Sequence, residues 1–254
     1  MKFLKYILWF AISLIVLSTA IYLVIDEPLP SGVSGSEADA LAEKMLESVS
    51  NDKWLDTEVI QWEFAARSKR HKHIWDKKRH FAEVEFNGTV VQIDIHNRKG
   101  IVLSSVDTLS EIDKTAMCER AWQYWINDSF WLNPVSKVFD PGTDRLIVEG
   151  EDGSKRLLVT YSSGGVTPGD SYLWILNEEY RPVAWKFWVS IIPIGGLQFT
   201  WENWQELISG ALISTYHDGI VGIRIDNPSS MNSPPKTAQG QDIFAPLKNA
   251  SINF

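Results

Sequence analysis

Hydrophobic and polar positions divide the chain into four stretches. Residues 6–25 contain no charged side chain and include Trp9, Phe10, Ile15, Val16, Leu17, Leu23 and Val24. A helix of that length, at ~1.5 Å per residue, covers the ~30 Å core of a bilayer, so the pattern predicts a transmembrane helix. A cleavable signal peptide ending near Ser18 and Ala20 is the rival, but its apolar segment runs ~7–15 residues and this run continues past Ala20. Residues 26–36, DEPLPSGVSGS, have too little apolar surface to pack and read as a loose linker. Residues 37–225 carry the periodic patterns of a folded domain. Residues 226–254 are rich in Pro, Ser, Asn and Gln and read as a flexible tail, in which Ile243 and Phe244 are the candidates to dock.

Inside the domain two segments follow the helical period. The first starts at Ser36 as N-cap, with Leu41, Ala42, Met45, Leu46 and Val49 on one face. The second starts at Thr108, whose pairing with Glu111 forms a capping-box pattern, and has Leu109, Ile112, Ala116, Met117, Ala121, Trp122 and Trp125 as its stripe. The rest alternates with a period of two over short runs at 57–64, 81–86, 89–96, 145–149, 155–161, 171–176, 182–189, 197–201, 211–216 and 221–225. Asn87-Gly88 joins two of them as a hairpin dipeptide, and hairpin-length connections imply antiparallel pairing.

One face of several strands is apolar: Val91, Ile93 and Ile95; Leu157, Val159 and Tyr161; Val183, Trp185, Phe187 and Val189. The run Tyr172-Leu173-Trp174-Ile175-Leu176 is apolar on both faces and needs cover on both. Two amphipathic helices are few for a sheet of this size. The expected fold is therefore mainly β, of the α+β class: a curved antiparallel sheet with two packed helices, which curls on itself or leaves part of its apolar face for a ligand, plus one N-terminal transmembrane helix.

Composition and charge narrow the function. Lys2 and Lys5 precede the apolar run and Asp26 and Glu27 follow it, which places the N-terminus in the cytoplasm and the main domain outside it. The net charge of −8 repels a phosphate backbone, so nucleic acid is not an expected partner. The single cysteine, Cys118, permits no disulfide within the chain and no lipid anchor after the apolar run. Tryptophan is unusually frequent, with twelve residues in 254. Trp174, Trp185, Trp188, Trp201 and Trp204 fall in neighbouring strands and are the candidate ligand-binding residues, since indole lines apolar pockets and offers one N–H to a polar head group. The competing reading is that they fill a sheet-to-helix core, with Trp174 and Trp185 as core members and Trp188 at a pocket rim.

Residues 67–80, RSKRHKHIWDKKRH, reverse the charge, carrying +6 against −14 for the remainder. As strand, turn and strand they place His71, His73 and Trp75 on one face, with 76–79 as the turn. Arg70, Lys72, Lys77, Lys78 and Arg79 then offer contact to anionic lipid head groups or an acidic protein. A solvated, edge-protecting hairpin is the bland alternative. His71 and His73, with His80 or a carboxylate, have the spacing of metal ligands, but the flanking cations oppose a divalent ion and no acidic cluster is near in sequence, so no metal is expected. The loop 164–170 has glycines permissive enough to cradle an anion, yet it feeds a strand rather than a helix and reads as a structural turn. No catalytic triad, paired-carboxylate site or cofactor motif can be assembled, so the chain reads as a binding protein rather than an enzyme, and no cofactor is implied.

The element order, and the stretches Phe130-Trp131-Leu132-Asn133-Pro134, 164–172 and Trp185-Lys186-Phe187-Trp188-Val189, resemble the LolA/LolB/RseB-like superfamily of cell-envelope proteins, in an uncharacterised membrane-anchored bacterial branch. The resemblance covers roughly residues 37–225. It implies an unclosed β-barrel with helices plugging an apolar concave face, which binds acyl chains, a lipoprotein or another apolar molecule, and a location on the periplasmic face of a bacterial inner membrane. An uncleaved anchor is a departure, since soluble carriers of that superfamily shuttle. A sensor with a solid core that uses the basic hairpin to recruit an acidic partner, and an envelope-lipid hydrolase, remain the alternatives.

Overall fold

A computed structural model describes residues 6–7, 9–10, 12–14, 25–163 and 168–251. Most of the expected membrane span at 6–25, and residues 164–167 of the glycine-rich loop, lie outside them. Among the described residues no helix is long and apolar enough to cross a membrane.

Among the described residues fourteen strands form two antiparallel sheets. The first contains β1 (Val33–Ser34), β7 (Thr143–Glu149), β8 (Lys155–Tyr161), β9 (Ser171–Leu176), β10 (Pro182–Trp188) and β11 (Leu197–Thr200), in that spatial order. The second runs β12 (Glu202–Glu206), β13 (Leu212–His217), β14 (Ile223–Met231), β2 (Val59–Ala66), β3 (Lys69–Asp76), β4 (Phe81–Phe86), β5 (Thr89–Asp94), β6 (Lys99–Ser104). The chain passes between sheets at Trp201, whose N–H donates to Val183 O at 2.8 Å, while Thr200 N–H donates to Asp218 O at 2.8 Å. The sheets thus meet at this crossing and stay unclosed, as the superfamily resemblance implies.

Helix α1 (Ser36–Ser48) packs on β7 and β8, and the short α2 (Asn51–Asp56) follows it. Helix α3 (Glu111–Leu132) crosses the concave side against β4, β5, β6 and β13. Its start differs from the expected Thr108. Ser110 is the N-cap, its Oγ accepting from Asp113 N–H while Asp113 Oδ2 accepts from Ser110 N–H, both at 3.2 Å. The buried stripe is accordingly Cys118, Ala121, Trp125, Asp128, Ser129 and Leu132, and Ile112 points to solvent at 82% exposure. Smaller shifts have local causes as well. The strand expected to reach His96 stops at Asp94, whose carboxylate accepts from His96 N–H and Asn97 N–H in an Asx turn. Val183 turns outward because a bulge lies between Pro182 and Ala184.

The two terminal segments are not loose. Residues 26–32 form a strap along the outer side of the first sheet, where Val148, Leu158 and Leu173 make a second apolar cluster, and lead into β1 at the edge beside β7. A side chain at Gly32 would meet Ile147 O at 2.5 Å, so the strap lies directly on the strand. This is the second cover that the doubly apolar run 172–176 requires. The expected tail is β14 followed by α4 (Ala245–Ser251). Phe244, one of the two residues expected to dock, is fully buried, and so is Leu247, which the polar composition hid; the helix lies against β5 and β6. There Phe244 packs on Phe81 at 5.7 Å and Ile243 O accepts from Gln92 Nε2 at 2.7 Å.

Phe244→Ala removes a fully buried ring that local collapse cannot replace. The expected cost is about 3–4 kcal/mol, read as a lowered urea midpoint with an unchanged m-value; a flexible tail would leave the midpoint where it is.

Candidate functional site

The concave face is lined with aromatic residues because inward positions of β9, β10 and β11 alternate with outward ones. Trp174, Trp185 and Trp201 come together there, Trp185 lying 4.9 Å from Trp174 and 5.0 Å from Trp201 between ring centroids. Phe130 and Trp131 of α3 close over them, at 5.9 Å and 5.1 Å from Trp185. Trp204 adjoins the group, stacked on Trp201 at 6.2 Å. Trp188 does not join it. Its ring lies on the outer face with the second apolar cluster, and its Nε1–H donates to Glu27 O at 2.7 Å. The concavity is thus occupied by the chain's own side chains. The Nε1–H groups of Trp174, Trp185 and Trp201 are buried without a conventional acceptor among the described residues, and edge-to-face ring contacts such as Trp185–Trp201 offer only weak N–H to π compensation.

At the β3 end of the same interface lies a group of different chemistry. Asp128 of α3 places Oδ2 2.7 Å from His71 Nδ1 and 2.8 Å from His73 Nε2. All three side chains are buried. His71 stacks on Tyr124 at 3.9 Å and His73 on Trp62 at 4.5 Å, so each imidazole is held flat by an aromatic neighbour. An ionised carboxylate only accepts, so His71 Nδ1 and His73 Nε2 are the nitrogens that donate to it. Asn127 Nδ2 donates to Asp128 Oδ1 at 2.8 Å. Burial works to raise the Asp128 pKa, but the hydrogen bonds from His71 and His73 outweigh it and hold the carboxyl below its ordinary range. For His73 burial wins over the Asp128 contact and lowers the pKa, disfavouring the charged ring. His73 Nδ1 is left as a buried nitrogen without a partner among the described residues.

His71 Nδ1, His73 Nε2 and Asp128 Oδ2 lie within 4.8 Å of one another, a donor set that can hold a divalent ion. An ion there would displace both ring protons and break the hydrogen bonds that position all three atoms. The mutual bonding suffices to explain the geometry.

The basic hairpin is partly compensated in space. Arg70 pairs with Asp226 at 3.3 Å, Lys72 with Glu85 at 3.1 Å and Lys78 with Glu58 at 2.7 Å. Arg79 is held by Asp76 at 2.7 Å and by Asp242 of the docked tail. Lys77 donates to Trp54 O and lies 4.3 Å over the Trp54 ring, where burial lowers its pKa to about 8. Four of the seven cations of the +6 segment, Arg70, Lys72, Lys78 and Arg79, are thus paired with carboxylates. Outside the concavity are two shallow depressions on the outer face of the second sheet, ≈ 440 and ≈ 240 Å³, the larger lined by groups such as Glu63, Arg70, Arg224 and Asp226.

Asp128 is the functional candidate that strand and motif reasoning missed. Its signal was positional: it falls three residues after Trp125 and four before Leu132, on an otherwise apolar stripe. His71 and His73 were placed on one strand face correctly, but their carboxylate comes from 55 residues further along the chain.

No family model matches this sequence, and no curated protein is similar to it. Among solved structures it is similar to a DUF1329 family protein from Desulfovibrio piger, with 9% identity and a TM-score of 0.44, covering 80% of this chain and 99% of that one. It is also similar to a domain from Vibrio parahaemolyticus provisionally described as an outer membrane lipoprotein-sorting protein, with 13% identity and a TM-score of 0.39, covering 82% and 98%. Both are likenesses of backbone course, at identities where residue-by-residue correspondence is lost.

Asp128→Ala leaves two buried N–H donors without an acceptor and is expected to cost about 3 kcal/mol in urea unfolding at pH 7. Acid acts in the same direction through a second histidine. His217, packed against Trp201 at 4.2 Å, has its pKa lowered from 6.5 to about 4 by burial, which outweighs its backbone hydrogen bonds. The unfolded chain takes up that proton first, so this contribution is complete above pH 6.5 and is lost as pH falls toward 4, by about 3 kcal/mol. Urea midpoints measured from pH 7 to pH 4 should fall, and His217→Phe should flatten the decline; an equal slope in the variant assigns the acid sensitivity elsewhere.

Proposed function

We propose that this domain binds an apolar ligand, an acyl chain of a lipid or lipoprotein, between its concave sheet and α3, and that it does so outside the cytoplasm at the membrane in which residues 6–25 anchor it. The observation that carries the reading is the way α3 is fastened. The helix covers an aromatic bed, yet its buried stripe contains Asp128, Ser129 and Cys118, and its specific attachment to β3 is the hydrogen bonding of Asp128 to two histidines. Polar fastening of this kind is lost in one step when the partners separate, whereas interdigitated apolar packing is lost gradually. Beneath the helix, three indole N–H groups lie ready for an acceptor. A chain that displaced α3 would find apolar walls and donors for a carboxyl or ester head.

The second reading, a solid interaction protein, is favoured by the filled concavity. On that reading the hairpin 67–80 recruits an acidic protein, and replacing Lys72, Lys77, Lys78 and Arg79 together abolishes capture. The paired state of those side chains argues against a strong patch. Catalysis has no comparable support: among the described residues the hydrogen bonds of His71 and His73 run to Asp128, with no serine joined to either ring.

Native mass spectrometry of residues 26–254, purified without detergent and then titrated with a long-chain fatty acid and a lysophospholipid, tests the reading. A discrete adduct and a shifted tryptophan emission are expected. Asp128→Asn keeps an acceptor but removes its charge, and should speed uptake about tenfold by weakening the fastening by about 1–1.5 kcal/mol. A bare mass with unchanged emission in both proteins sinks the ligand reading and leaves the solid-core one.

A further inference from the structure

The chain returns to the point where its apolar run ends. That run stops at Ile25, and the next two residues are fastened to the loop between β10 and β11. Glu27 N–H donates to Gly195 O at 3.1 Å, and Gly195 N–H donates to Asp26 Oδ1 at 2.8 Å. Glu27 O accepts from Trp188 Nε1, and the Glu27 carboxylate pairs with Lys186 Nζ, both at 2.7 Å. Two glycines make room for this contact: a Cβ at Gly195 or at Gly196 would come within 2.6 Å of Glu27 atoms, and Gly196 has φ +76°. The loop is thus held within two residues of the end of the apolar run, a separation of at most ~7 Å along extended chain.

Its sequence fits that place. Residues 189–194, Val-Ser-Ile-Ile-Pro-Ile, carry no charge. Ile191 stands out at 75% exposure, with Ile192 and Ile194 half-buried beside it. The nearby charges are already compensated, Glu27 by Lys186 and Asp26 by a backbone N–H. An isolated exposed isoleucine needs no explanation, but Ile191 stands in an uncharged loop beside half-buried Ile194, with Ile192 packed back on the core, against the residues that follow the apolar run. Ile208, in contrast, is 89% exposed at the opposite end of the domain, beyond the side of β10 that begins at Pro182. There Ser209 meets Thr57, and the β9–β10 turn meets Ser48.

We infer that the β10–β11 loop is a second membrane contact, in which Ile191 and its neighbours enter the interfacial layer of the bilayer beside the point where the chain leaves it. The inference rests on the reading of residues 6–25 as an uncleaved anchor. Anchor and loop together then fix the orientation of the domain, with the β9–β10 turn and the β12–β13 hairpin facing away from the lipid.

The test uses the full chain reconstituted into phosphatidylcholine vesicles, with an environment-sensitive fluorophore on Ile191→Cys or Ile208→Cys. Burial raises the native Cys118 thiol to about 11, so labelling at neutral pH falls on the introduced cysteine. Alkaline washing first establishes whether the chain stays with the vesicles. Expected is retention, with a blue shift at position 191 and loss of its emission when the acyl chains are brominated near the head group, and neither change at 208. Gly195→Val, which forces the Trp188 ring and Glu27 away from the loop, should return the 191 label to a water-like spectrum while the chain remains bound. A retained chain whose 191 label behaves like that at 208 overturns the loop contact and leaves the anchor intact. A chain that washes off overturns the anchor, and the loop contact with it.

Discussion

An antiparallel sheet that curves without closing leaves an apolar inner face that must be covered; in this protein α1 and α2 cover part of it through Ala42, Met45 and Trp54, and α3 covers the stretch against β4, β5, β6 and β13. Helix α3 supplies Ala121, Trp125 and Leu132 to the inner face and carries the one buried carboxylate of its stripe, Asp128, to the two histidines of β3. The position of the helix along the sheet follows from this contact, since a shift of one turn would leave a charge in the core without hydrogen bonds. Phe130 and Trp131 then fall over Trp185, and the aromatic bed is closed.

The physics of that contact differs from the packing around it. Aromatic rings in contact tolerate small displacements, because dispersion falls off gradually and no single pair dominates. The carboxylate between two imidazoles is either made or lost. Burial disfavours the charged form of His73, while the hydrogen bonds from both histidines favour the ionised Asp128, so a carboxylate is held inside a dry interface by charge-assisted hydrogen bonds. Such an arrangement gives a unique register to a helix that aromatic packing alone would hold less specifically, and it gives the helix a definite point of release.

The outer faces are covered by the chain's own ends. Residues 26–32 lie along the first sheet, where Trp188 and Leu173 would otherwise face water, and α4 lies on the second through Phe244 and Leu247. Asp242 of the tail and Glu58, Glu85 and Asp226 from neighbouring elements pair with Arg79, Lys78, Lys72 and Arg70, so much of the charge reversal in the sequence becomes a set of local pairs. The strap connects this architecture to the membrane reading, because the first residues after the apolar run are those bonded to the β10–β11 loop.

The mainly β character and most of the strands were legible from periodicity, whereas β6, β12 and the short helices α2 and α4, beyond the two helices expected, were not. Strands at 81–86, 155–161 and 171–176 match their observed limits, because alternation of period two and turn residues act locally. The inward placement of His71 and His73 was equally local, as was the need of residues 172–176 for cover on both faces. The start of α3 was misplaced by two overlapping capping patterns, which only the reciprocal Ser110–Asp113 bonds separate. Tertiary structure alone decided the rest. It brought Asp128 to the histidines, filled the concavity, paired the cations with distant acids, and laid both polar-looking ends onto apolar faces. Each of these joins residues far apart in sequence, and their partners follow from how the sheet curves, a property of the whole set of strands rather than of any window of residues.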